Sequence, residues 1–220
     1  KLMGLNPNLV KIVIYPKISD LEKNKVIKRL REFKSDIIDN GASFITKAVL
    51  YSDDIQSRKN GGKYTINRKN SPMVKEFNDV AFSLTEGEIS EPFETEFGFH
   101  IIFLEKIRGQ EYDVRHILLR PEVSNDEILA AKNKIELIRN RILDGDLSFF
   151  DAAIEASDEI ETRNDGGLLI NPETQDYNFE LTKMDPELYS QIVNLSEGEV
   201  SRVIRDSDRV NPVKFKILTV

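Results

Sequence analysis

FGFHIIFLEKIRGQEYDVRHILL, residues 97–119, contains both histidines of the chain, His100 and His116. Each opens an apolar run of the kind that forms a strand, and between the runs lies the short polar stretch Arg108, Gly109, Gln110, Glu111. Two histidines on neighbouring strands look like halves of one site. Whether they belong to one site or to two decides what the protein can do.

Working outward from this stretch, the chain repeats itself. Residues 10–15 (VKIVIY) and 114–119 (VRHILL) are short apolar runs, each followed by a proline, Pro16 or Pro121. Ser19 with Glu22, and Ser124 with Glu127, carry the capping-box spacing that starts a helix. Leu21, Val26, Ile27, Leu30, Phe33, Ile37 and Ile38 then recur at helical spacing, and Ile128, Leu129, Ile135, Leu137, Ile138 and Ile142 do so in the second copy. Gly41 and Gly145 stand where these helices should stop. Phe44 matches Phe149, Gly61-Gly62 matches Gly166-Gly167, Met73 matches Met184, and LTEGEIS (84–90) matches LSEGEVS (195–201). The offset is 104 or 105 up to the glycine pair and 111 afterwards, so a longer loop is expected around residues 171–179.

The repeat predicts two domains, residues 1–109 and 110–220, joined at the polar stretch. Within a copy the order is strand, long helix, short helix, Gly-rich turn, short helix and two closing strands. Strand and helix segregate, which predicts an α+β domain with a small antiparallel sheet packed on helices. On this reading His100 ends the first domain and His116 begins the second, so the two histidines fall in separate sites.

With 40% hydrophobic and 31% charged residues, and no run approaching the length of a membrane span, the composition is that of a folded, non-membrane protein. The net charge of −7 is uneven: residues 1–109 hold 18 Lys+Arg against 15 Asp+Glu, the remainder 13 against 23. An acidic second half argues against a nucleic-acid partner. Absence of cysteine excludes disulfides, thiolate catalysis and cysteine metal sites, and two histidines without a third ligand at suitable spacing predict no metal. Neither Gly61-Gly62 nor Gly166-Gly167 is followed by the Lys-then-Ser/Thr pair of a phosphate loop, and both read as backbone turns. The opening KLMGLNPN has no signal-peptide pattern and no initiator Met, so the chain is expected to be a piece of a longer one.

VRHILLRP, SDD followed by NGG, MVKEFNDVAFSL, GEISEP and TEFGFHII, in this order and spacing, resemble the parvulin family of peptidyl-prolyl isomerases. The resemblance covers nearly all of residues 10–107 and, less tightly, 114–220. It implies a four-stranded antiparallel sheet wrapped by helices in each domain, with a proline pocket on one face. Tandem domains of this kind resemble periplasmic folding factors of bacteria. The expected partners are therefore proline-containing unfolded polypeptides such as outer-membrane proteins, the expected location is the periplasm, and any signal peptide would lie upstream.

Carried over position by position, the resemblance implies that Asp54, Thr95 and His100 carry catalysis in the first domain, beside a proline pocket of Met73, Phe77, Tyr64 and Phe82. Family members have a second histidine on the first strand; the alignment puts Ile12 there. The usual Gly-Gly-Asp-Leu-Gly run reads Gly61-Gly62-Lys63-Tyr64-Thr65. The second domain keeps His116, with Glu159, Met184 and Leu188 as a vestigial site, but its end, RVIRDSDRVNPVKFKILTV, has no Phe-Gly-x-His. Each domain is thus expected to hold half of a histidine pair, with weak activity in the first and none in the second. The alternative is a catalytically inactive module that uses both folds for peptide binding. Isomerisation needs no cofactor, because rotation about X-Pro is limited only by amide resonance. Phosphate recognition is not expected, since the loop after the first strand offers one lysine, Lys17.

Overall fold

Strands β4 (Gly98–Arg108) and β5 (Glu111–Leu119) form one antiparallel hairpin, paired from Phe99↔Leu119 to Arg108↔Glu111, in the computed structural model of the chain. The polar stretch between the sequence repeats is the two-residue turn of that hairpin. Gly109, the first turn residue, has φ 63°, the positive value a II′ turn takes at that place. A two-residue link can join strands only as antiparallel neighbours. The strand that opens the second repeat is therefore locked against the strand that closes the first.

The described residues are 8–208 and 210–220; the opening residues 1–7, which entered the expectation of a longer chain, lie outside them. The chain forms two compact units cut differently from the sequence repeats. The first unit is Ile18–Glu122, and the second combines the residues up to Lys17 with Val123–Val220. The boundary expected at 109/110 falls inside the first unit, at the tip of its longest hairpin.

The first unit runs α1 (Asp20–Asn40), α2 (Phe44–Tyr51), β2 (Lys63–Asn67), α3 (Lys75–Ala81), β3 (Phe93–Thr95), β4 and β5, with sheet order β2-β5-β4-β3. Ser19 accepts from the Glu22 N–H at the start of α1, and Gly41 ends it at φ 70°. Alternation along the strands gives the sheet two apolar faces. Ile101, Ile117 and Leu119 pack with Leu30 and Phe33 of α1 and Phe44 of α2, while Ile102, Leu104, Tyr112 and Val114 pack with Phe77 and Ala81 of α3. Leu21 and Ile38, counted in the apolar face of α1, are exposed instead.

The second unit runs β1 (Val10–Ile14), α4 (Asn125–Leu143), α5 (Phe149–Ala156), α6 (Ile160–Arg163), α7 (Pro186–Ile192), β6 (Ile204–Asp206) and β7 (Lys214–Thr219). Ser124 and Glu127 close a reciprocal capping box at the start of α4. The sheet has three strands, β1-β7-β6, where four were expected. The fourth place is taken by a single bridge, Val10↔Leu168, after which the chain turns into the long loop over residues 171–178. That loop is held by its own polar groups: Asn171 Nδ2 donates to the Asn178 carbonyl, and the Asn178 N–H donates to Asp176 Oδ1. Ile12, Ile14, Phe215 and Ile217 form a core with Ile135 and Ile138 of α4 and Ala152 and Ala153 of α5. Among the described residues no helix is long and apolar enough to cross a membrane.

Candidate active site

Alternation places His100, Ile102 and Leu104 of β4 on the face toward α3, and Tyr112, Val114 and His116 of β5 on the same face. In the hairpin register His100 opposes Leu118 and Ile102 opposes His116, so the two histidines are diagonal neighbours. Their rings stack with centroids 5.5 Å apart and an interplanar angle of 16°, and their Nδ1 atoms are 3.3 Å apart. The expectation of two half-kept sites is corrected: His100 and His116 are buried in one site, because the linker is a hairpin turn and brings the last and first strands of successive repeats together.

The pair is anchored at both ends. His100 Nε2 lies 2.8 Å from Thr95 Oγ1, which accepts a hydrogen bond from the Phe97 N–H at 3.1 Å. His116 Nε2 lies 2.8 Å from Asp54 Oδ2. The same carboxylate oxygen accepts from the Tyr64 hydroxyl at 2.9 Å and from the Ser57 hydroxyl, and Asp54 Oδ1 accepts from the Gln56 N–H. Gly62 lets the strand carrying His116 lie against the Gly-rich turn: the His116 N–H donates to the Gly62 carbonyl, and a Cβ on Gly62 would come within 2.1 Å of the His116 carbonyl oxygen.

The electrostatics follow from burial and donors. Burial pushes the Asp54 carboxyl up, but hydrogen bonds from His116, Ser57 and Tyr64 together outweigh it and hold the group well below the usual carboxylate range. Burial pushes His100 down to about 3, helped by its neighbour His116, so its imidazole is neutral at physiological pH. The contacts form one chain in which every group has a partner: His116 Nε2–H donates to Asp54, the two Nδ1 atoms share one proton between the rings, and His100 Nε2 meets the Thr95 hydroxyl. With Oδ2 occupied by three donors, Asp54 is suited to orienting His116 and poorly suited to nucleophilic attack.

Over this polar floor stands an aromatic wall. Phe77 meets His100 and His116 edge-on at 5.9 and 5.5 Å, Phe93 stacks on His100 at 5.3 Å, and Tyr64 meets His116 at 5.4 Å. Met73 packs on the same cluster, its carbonyl accepting from Asn78 Nδ2 of α3. Phe82 also joins the cluster, but its ring neighbours are Tyr112 at 5.0 Å and the Arg68 guanidinium. Asp54, Thr95, His100, Met73, Phe77 and Tyr64 thus come together with His116, while Phe82 lies further along the sheet. Ser57 and Phe93 were missed. Ser57 could have been found from its spacing of three after Asp54; Phe93 carries no local signal.

The expected vestigial grouping is not formed: His116 belongs to the first unit, whereas Glu159, Met184 and Leu188 belong to the second. The second unit holds a recast copy of the network. The Leu118 N–H donates to Ser52 Oγ and the Leu118 carbonyl accepts from the Asp53 N–H; Val13 makes the same two bonds with Ser157 and Asp158. Leu118 therefore corresponds to Val13, and His116 corresponds to Lys11. The sequence alignment that put Ile12 opposite His116 is one residue out of register, and such a slip reverses the face a side chain takes. Ile12 is accordingly core, and Lys11 Nζ pairs with Glu159 Oε2 at 2.8 Å, with Thr162 donating to the same oxygen at 2.7 Å. By the same register His100 corresponds to Lys216 and Thr95 to Asp206, which pair at 2.6 Å. Two lysine–carboxylate pairs stand where the first unit has two histidines. Among the described residues no group of three or more His, Asp or Glu is arranged to hold a metal ion.

Comparison with known proteins gives the family. The rotamase profile, described as a PPIC-type PPIASE domain, matches residues 12–106 and again 116–214. Chaperone SurA of Methylococcus capsulatus is 32% identical over 151 residues, covering 64% of this chain and 32% of its own length. Chaperone SurA of Salmonella typhimurium is 31% identical over 176 residues, covering 76% of this chain and 39% of its own length. The chain thus spans about 32–39% of the length of these relatives. The two profile matches and these relatives place the chain in the PPIC-type peptidyl-prolyl isomerase family, as a SurA-like tandem of parvulin domains.

Proposed function

We propose that the first unit catalyses cis–trans isomerisation of X-Pro bonds in unfolded polypeptides, and that the chain is part of a periplasmic folding factor whose clients include outer-membrane proteins. The observation that carries this reading is the closed network Thr95–His100–His116–Asp54 lying beneath Phe77, Phe93 and Met73. The barrier to amide rotation is about 18–20 kcal/mol, and a thousandfold acceleration removes only about 4 kcal/mol of it. An apolar wall that grips the prolyl ring takes water away from the amide and so weakens the charge-separated resonance form that water stabilises. The stacked imidazoles give a rigid polar floor whose donors and acceptors need no reorganisation as the carbonyl twists.

The rival reading, a binding module without catalysis, drew its support from a missing partner for His100. His116 supplies that partner, so the rival now applies to the second unit, where lysine pairs replace the histidines. A protease-coupled assay with a proline peptide tests the proposal on the whole chain. Acceleration that falls with Phe77→Ala supports it; a rate equal to the uncatalysed one, with a correctly folded chain, rejects it.

A further inference from the structure

The second unit contains a cavity of about 720 Å³ beside the long loop over residues 171–178. Its apolar side is made by Leu169, Phe179, Met184 and Leu188. Three of these occupy the positions of wall residues in the first unit: Leu169 corresponds to Tyr64, Met184 to Met73 and Leu188 to Phe77. The rim is of a different character. Glu173, Asp176, Glu180 and Asp185 line it against one cation, Lys183, which is already paired with Glu180 at 2.8 Å. Asp176 and Asp185 are held in place by the loop and by the first turn of α7, accepting backbone N–H bonds from Asn178 and from Glu187 and Leu188.

We infer that this cavity binds an extended peptide segment carrying a large apolar side chain flanked by lysine or arginine. The volume lies within the usual range for ligand pockets, about 300–1,000 Å³. The apolar side would bury the central side chain, and the excess of carboxylates on the rim would select cationic flanks and disfavour acidic ones. With no histidine in the unit, and both carboxylates of the recast network neutralised by lysines, the segment is held without bond rotation. Proline is not required. The inference concerns only second-unit residues and stands apart from the isomerase reading of the first unit.

Two fluorescent, proline-free peptides test it by anisotropy on the whole chain: a leucine flanked by lysines and the same peptide with glutamates. The lysine peptide is expected to bind at least tenfold tighter, with the preference shrinking at 0.5 M salt. The exposed reversal pair Glu173→Lys and Glu180→Lys should reduce the preference below twofold. Leu188→Gln should weaken both peptides, and proline-peptide isomerisation should be unchanged in each variant. Equal binding of the two peptides, no binding of either, or a preference that survives the charge reversal overturns the inference.

Discussion

Cutting the chain at the sequence repeat and cutting it at the packing unit should give opposite results. A fragment of residues 1–109 lacks β5, and with it the buried side chains of Tyr112, Val114, Ile117, Leu118 and Leu119. At about 1.5–3 kcal/mol for each fully buried large side chain, their loss removes on the order of 7–15 kcal/mol. That equals the whole net stability of a typical domain, about 5–15 kcal/mol. Residues 10–14 could take the empty place beside β4, but they would bring Lys11, not His116, to His100. A fragment of residues 18–122 carries every strand of the four-stranded sheet and every member of the network. We therefore expect the 18–122 fragment to unfold cooperatively in urea and to accelerate the proline-peptide assay at the rate of the whole chain, and the 1–109 fragment to show no acceleration. Activity in residues 1–109 equal to that of the whole chain, together with an inactive 18–122 fragment, would refute the shared site and restore the contiguous repeats as the folding units.

Four further outcomes follow from the same geometry. His116→Ala, in the whole chain, should lower kcat/KM by roughly tenfold or more while leaving the second unit's thermal transition in place; an unchanged rate would remove His116 from the site. Acid should destabilise the first unit through His100: its folded pKa of about 3 lies below the unfolded value, so the unfolded state binds the proton first as pH falls. The stability that neutral His100 contributes is present above the unfolded value of about 6.5 and is lost as pH falls toward 3, by up to about 1.4 kcal/mol per pH unit. Urea midpoints measured from pH 7 to pH 4 should show that slope and His100→Gln should flatten it; equal slopes would contradict the assignment. Gly62→Ala forces a Cβ into the His116 carbonyl at a backbone φ of 76° and should cost at least about 2 kcal/mol by urea denaturation. Lys11→Met leaves Glu159, whose side chain is 11% exposed, without its cation and should destabilise the second unit by roughly 2–4 kcal/mol, with no change in the isomerisation rate.

Much of the first unit could be read locally. Ser19 and Gly41 bound α1 as their spacing predicts, the Gly61-Gly62 turn is a turn, and Phe93–Thr95 and the strand opening at Gly98 form the closing pair. Asp54, Thr95, His100, Met73, Phe77 and Tyr64 were legible because each sits in a spaced motif. Ser57 and Phe93 were not, since a short polar residue after Asp54 and one aromatic in a strand are common and acquire meaning only from what they touch.

The sequence by itself determined most of the elements, the α+β class, the presence of two copies and the identity of most residues that gather round His100, because caps, alternation and turn glycines act over a few residues. Only the tertiary structure decided which copy each first strand completes. Similarity between repeats says what kind of strand residues 10–14 and 111–119 are, and it is silent on which sheet edge either one joins. The deciding physics is the length of a connection: two residues between Arg108 and Glu111 allow nothing but a hairpin, and the hairpin puts His116 beside His100. The one-residue register that makes Lys11, and not Ile12, the counterpart of His116 was likewise settled by backbone hydrogen bonds to Ser157 and Asp158. Those bonds exist only once strand and turn have met.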